Sequence, residues 1–165
     1  PNKELMREFE KSLRDESFGY VSEIINNSRN VLRATLNEDS DTLVKLLHDI
    51  HNSEIPILQY NDENSLSCVV TLAYLSARDT YRVEREEKTG KGYADFTFHP
   101  RRKNDTAFIV ELKKDESPEV AINQIKEKEY IEKFRRENNN HLILAVAICY
   151  DSKTKEHNCK IEELR

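Results

Sequence analysis

The sequence predicts an α/β domain, a mixed central sheet flanked by helices, preceded by a helical segment. Three observations carry this. The apolar pattern changes from helical spacing to alternation near residue 80, at Tyr81 and Val83. A helix start, Ser117-Pro118-Glu119, then interrupts the alternation, with Ser as cap and Pro at the first position. Finally HLILAVAICY, residues 141–150, is a continuous apolar run, the signature of a strand buried on both faces.

The elements follow in order. Leu5, Phe9 and Leu13 recur at helical spacing, and Val21, Ile24, Ile25, Val31 and Leu32 form a second stripe, with a break at Phe18-Gly19-Tyr20. A turn at 37–40 leads into a helix bearing Leu43, Leu46, Leu47 and Ile50. Residues 61–79 read as one helix, capped by Asn61 or Asp62 and burying Leu66, Val69, Val70, Ala73 and Tyr74. A hairpin covers 93–113, a helix runs from 118 to about 136, the strand at 142–149 is expected at the sheet centre, and a last strand covers about 156–162. Tyr130 and Phe134 are expected in the core.

Charge and composition narrow the function classes. With 31 acidic against 26 basic residues the chain has a net charge of -5, which argues against general nucleic-acid binding, although a local basic patch can still hold phosphate. No apolar run approaches the roughly 20 residues that span a bilayer, and the N-terminus lacks a signal-peptide pattern. Cys68, Cys149 and Cys159 have no metal-type spacing and read as buried thiols. A cytoplasmic protein is expected.

The hairpin carries the chemistry. In GYADFTFHPRRKNDTAFIVELKK, residues 92–114, Glu111 and Lys113 share one strand face, and Phe108, Val110 and Leu112 the other. A turn centred near Lys103 puts Asp95 directly across from Glu111. Opposed residues have Cβ atoms about 5 Å apart, and like charges there repel. Two such carboxylates need a shared proton or a cation, and oxygen-only ligands suit Mg²⁺ or Mn²⁺. Lys113 would orient or activate a water or steady the attacked phosphate. The competing reading is ordinary solvent-facing charge, since a bare D…ExK pattern is weak.

The order α-β-β-β-α-β, with Asp on the second strand and Glu-x-Lys ending the third, resembles the PD-(D/E)XK nuclease superfamily. GKGYADFTFHPRR, AFIVELKK and AINQIKEKEY resemble the branch found C-terminal to an AAA-ATPase-like domain in bacterial proteins. The resemblance spans about residues 55–161 and implies a restriction-endonuclease-like core. It divides the chain into a helical segment, 1–54, joining an upstream ATPase-like domain, and a nuclease-like domain, 55–165. Pro1 and the missing GxxxxGK loop agree with a segment of a longer chain that binds no ATP itself. By this resemblance Asp95 and Glu111 match the metal-binding acids, with the Leu112 carbonyl as a further ligand, and Lys113 matches the catalytic lysine. Glu63, Glu86 and Gln124 match additional catalytic positions. Ala94 stands where the superfamily name has Pro. Plainer readings stand beside these: Glu63 as a favourable first-turn acid, Glu86 as part of a solvated acidic edge, Gln124 as a surface residue. Arg101, Arg102 and Lys103, with Lys114, are candidate nucleic-acid contacts, and the tip equally reads as a solubilising turn. The implied function is metal-dependent phosphodiester hydrolysis of nucleic acid, DNA favoured. The alternatives are a non-catalytic nucleic-acid- or protein-binding module regulating an associated AAA-type ATPase, or a structural interaction domain.

Overall fold

The structure, a computed structural model, describes residues 19–58, 63–86, 95–127 and 129–164. The expected helix around Leu5 to Leu13 and the cap at Asn61 or Asp62 lie outside these residues. The described chain runs α1 (Gly19–Leu36), α2 (Ser40–Leu58), α3 (Glu63–Ala73), a 3-10 turn (Leu75–Asp79), β1 (Tyr81–Glu86), β2 (Asp95–Pro100), β3 (Ala107–Lys114), α4 (Pro118–Glu127), α5 (Glu129–Glu137), β4 (Ile143–Asp151) and β5 (Glu156–Glu163).

One five-stranded sheet has the order β1-β2-β3-β4-β5. β3 and β4 are parallel, and every other neighbouring pair is antiparallel. The parallel step needs a crossover, which α4 and α5 supply. Strand alternation divides the sheet's side chains between two cores. On the first face, Phe96, Phe98, Phe108, Val110, Leu112, Leu144 and Val146 pack with Val31, Leu43, Leu47, Val69 and Val70 of α1, α2 and α3. On the second, Ala107, Ile109, Ala145, Ala147 and Cys149 pack with Ala121, Ile122 and Ile125 of α4 and Ile131 and Phe134 of α5. Helices therefore cover both faces, giving three layers. This explains why β4 is buried through Tyr150 and reads as unbroken apolar sequence.

Three details differ from expectation. β4 is interior, but the middle strand is β3, because β5 adds antiparallel outside β4. The helix expected over 118–136 is two helices. Its apolar stripe explains the break: Ala121 and Ile125 share a face, but Ile131 would fall roughly 240° around a continuous helix from Ile125. A second axis is needed to bury both. Likewise the helix read over 61–79 ends at Ala73 and continues as a 3-10 turn, with Ala77 N donating to the Tyr74 carbonyl at 3.0 Å.

The first two helices share the sheet's core. α2 runs unbroken across the 54/55 division drawn from sequence, and Leu43 and Leu47 are fully buried against the first face. The Thr35 hydroxyl on α1 lies 2.8 Å from Tyr74 Oη in the interior. Burial drives the Tyr74 phenol well above its ordinary value, the Thr35 contact opposing this. Thr35→Val strands that phenol and is expected to cost about 1–3 kcal/mol in urea unfolding, most of it recovered by adding Tyr74→Phe. A Thr35→Val protein with wild-type stability would show that α1 is not part of this core.

Candidate active site

The hairpin sets the geometry. β2 and β3 pair about a turn at 101–105, and their register places Asp95 opposite Glu111, as the alternation predicts for a turn centred on Lys103. The same row extends both ways. Glu86 on β1 pairs with Asp95, and Ala147 on β4 pairs with Glu111, so three acidic positions line up across three adjacent strands. The structure thus brings Glu86 into the row from which sequence alone had separated it by eight residues. The side chains of Glu86, Asp95 and Glu63 lie outside what is described, and these three are placed by backbone position.

Glu111 is fully buried, and Lys113 is 8% exposed. Lys113 Nζ stands 3.5 Å from Glu111 Oε1. Both belong to the face that α4 and α5 cover, which keeps the pair out of bulk water and strengthens its electrostatics. Ala145 and Ala147 beside them are small, and Ala121 opposite is small as well, so α4 approaches the sheet closely. Gln124 is half-buried on that helix, between the buried Ala121 and Ile125.

Other expected residues lie elsewhere. Lys114 falls on the opposite strand face, in register with Tyr150, and the Leu112 side chain points into the first core. Glu63 opens α3, a helix packed on that first face. Arg101, Arg102 and Lys103 are exposed at the hairpin tip, at the far end of β2 from Asp95. At about 3.3 Å per residue, the five steps from Asp95 to Pro100 separate the two ends by roughly 17 Å. The basic tip and the acidic row are separate features.

A neighbour the sequence reading missed is Cys149, which pairs with Lys113 across the parallel strands. Burial first, and then Glu116 and Glu111, push its thiol up to about 12, so it is a neutral packing group. Its position follows from the β3–β4 register, which no local pattern reveals. Among the described residues no three His, Cys, Asp or Glu side chains converge as a metal-binding group. The donor chemistry present still fits a hard cation: a fully buried carboxylate on β3, in register with an acid on β2.

The sheet order, the crossover and this row on the second and third strands together form a restriction-endonuclease-like fold. No curated protein matches the chain. Residues 61–159, more than half the sequence, match the PD-(D/E)XK nuclease superfamily, and the chain belongs to that superfamily.

Proposed function

We propose that the domain hydrolyses phosphodiester bonds of nucleic acid, DNA in the first instance, in a reaction that depends on Mg²⁺ or Mn²⁺. The observation that carries this reading is the register of Asp95 with the buried Glu111, beside Lys113 at 3.5 Å. Asp95, Glu111 and the Leu112 carbonyl would hold the ion. A divalent ion supplies Lewis-acid polarisation of a phosphate oxygen. The chain's own residues supply the rest. Water adds to phosphorus, the bond to one ester oxygen breaks, and that oxygen leaves with a proton. The Lys113 ammonium offsets negative charge growing on the phosphate, in a site where its effect is little diluted by solvent. Gln124 on α4 and Glu86 at the end of the acidic row would orient water or the phosphate. Glu63, at the start of α3, is a further candidate from the resemblance. By the same resemblance the domain would follow an ATPase-like domain of a longer chain, and the sequence pattern reads as that of a cytoplasmic protein. Among the described residues no helix is long and apolar enough to cross a membrane.

The test is cleavage of end-labelled single- and double-stranded DNA and RNA with Mg²⁺, Mn²⁺ or EDTA, with Glu111→Ala as control. Cleavage in Mg²⁺ or Mn²⁺ is expected, and none in EDTA or from the variant. Cleavage that survives EDTA, or that Glu111→Ala leaves intact, would refute the reading. A binding readout accompanies it: Mg²⁺ or Mn²⁺ is expected to raise the melting temperature, and Asp95→Ala to remove that response. An Asp95→Ala protein that responds like wild type places the ion elsewhere.

A further inference from the structure

Away from the acidic row, cations gather at a corner where α1 and the hairpin tip both flank the segment of the 3-10 turn and Thr80. Arg29 and Arg33, one helical turn apart, line an open cleft of about 340 Å³ with Ser76, Asp79 and Thr80. The Thr80 carbonyl accepts a 2.9 Å hydrogen bond from Arg101 N, and Tyr81 pairs with Pro100, so Arg101 starts the tip beside the Thr80 wall of the cleft and Arg102 and Lys103 follow it. Arg78 lies in the adjoining 3-10 turn. Three chain segments distant in sequence are thereby brought to one surface.

Among the described residues, cations elsewhere are in part paired and in part, as with Lys45, Arg136, Lys153 and Lys155, in no ion pair, so what marks this corner is the convergence of unpaired cations from three segments. Arg82, Lys113, Lys126, Lys133 and Arg135 each pair with a carboxylate. Among the described residues, no ion pair involves Arg29, Arg33, Arg78, Arg101, Arg102 or Lys103, and Arg29, Arg33, Arg78 and the three tip residues are all exposed. The acids closest in sequence are Glu38, Asp39, Asp79 and Asp105. Asp39 is already engaged, accepting from Thr42 N at 3.1 Å and Thr42 Oγ1 at 2.6 Å. A chain of net charge -5 therefore presents a corner of the opposite sign, with its cations uncommitted.

We propose that this corner binds the sugar–phosphate backbone of duplex DNA, as a contact separate from the acidic row; the choice of partner rests on the nuclease reading. Guanidinium groups grip phosphate through paired N–H donors, and residues four apart on a helix are close enough to engage neighbouring phosphates. The Thr80 hydroxyl at the cleft wall adds a short donor. The cleft offers no aromatic platform, so it carries affinity and not sequence. The end-to-end separation of roughly 17 Å along β2 is about half a turn of B-DNA, taking a turn as about 34 Å.

The experiment is fluorescence anisotropy of a labelled DNA duplex of about two helical turns with the full chain in EDTA, which separates binding from cleavage. Arg29→Glu/Arg33→Glu is expected to raise Kd at least about tenfold in low salt and to lower the slope of log K against log salt by about 2. Arg101→Glu/Arg102→Glu, on a different segment, is expected to do the same, which excludes a local folding defect in α1. Lys153→Glu/Lys155→Glu, an equal change of charge in the exposed β4–β5 turn, is expected to leave Kd within about twofold, since only the corner's phosphate contacts count. Wild-type binding by both arginine variants, equal weakening by the control, or no binding by wild type would each overturn the proposal. Cleavage sensitive to Glu111→Ala reports on the nuclease reading independently: it can fail while the corner binds, and the corner can fail while it holds.

Discussion

Lys113→Met is expected to be the most destabilising single change at the candidate site, costing about 3–5 kcal/mol, because it breaks a buried ion pair by removing one member. The magnitude follows from the burial of both partners. Glu111 has no solvent exposure and Lys113 almost none, with 3.5 Å between Nζ and Oε1. An exposed pair at that distance would be worth little. Here the desolvation of both groups has already been incurred, and removing one partner takes away the ion pair that offsets it. The acid at position 95, directly across the hairpin, aggravates the loss. Replacing both members, Glu111→Met/Lys113→Met, removes the buried charges together and is expected to restore stability to wild type or above. The restored protein is expected to be inactive. Urea midpoints measured without divalent ion decide the matter: a Lys113→Met protein within about 1 kcal/mol of wild type would show that the pair is not the buried, coupled unit described. The single variant also reports on the ion. If Asp95 and Glu111 hold a divalent cation, Mg²⁺ or Mn²⁺ is expected to recover a larger fraction of the loss in Lys113→Met than it adds to wild type.

How far the sequence reaches is clear from the same hairpin. The alternation in FTFH and AFIVELKK and the polar stretch at 101–105 were enough to place 95 opposite 111, because a hairpin's register follows from its turn. Both strands lie within one local segment, so nothing distant had to be known. The second face was less legible. Whether Lys113 meets Cys149 or another residue depends on a parallel register formed across two helices, and HLILAVAICY is apolar throughout, so it contains no marker of which residue faces which core. The split between α4 and α5 was visible as a drifting stripe, but its resolution into two axes required the sheet beneath. Of the corner around Arg29 and Arg33, only the basic tip at 101–103 was legible. The corner's parts are separated by about half the chain, and only the packing of α1 against the 3-10 turn brings them together.

Acidification is expected to weaken the fold well before its carboxylates titrate, through a pair of histidines joining α2 to β5. His51 Nδ1 lies 3.1 Å from His157 Nε2, and both rings pack against Tyr150, at 4.7 and 5.0 Å between centroids. Their exposures are 2% and 4%. An N–H···N bond between two imidazoles requires one ring to accept, so both cannot be charged without losing it. Burial, reinforced by His51 and His48, pushes His157 down to about 4, and burial also lowers His51. The folded state therefore resists protons that the unfolded chain binds at about 6.5. Stability from this source is complete above pH of about 6.5 and drains as pH falls towards about 4, amounting to about 3 kcal/mol for His157 alone. Carboxylates held low by hydrogen bonds, such as Asp39 by Thr42 and Asp115 by Ser152, contribute their losses at lower pH. The measurement is a series of urea midpoints from about pH 7.5 to 4.5, spanning the free histidine value. His51→Phe/His157→Phe keeps two rings against Tyr150 and removes both titrating groups, so most of the slope between pH 7 and 5 is expected to disappear. A flat wild-type profile over that range, or a double variant that keeps the wild-type slope, would show that this buried pair does not couple the helical layer to the sheet's outer strand.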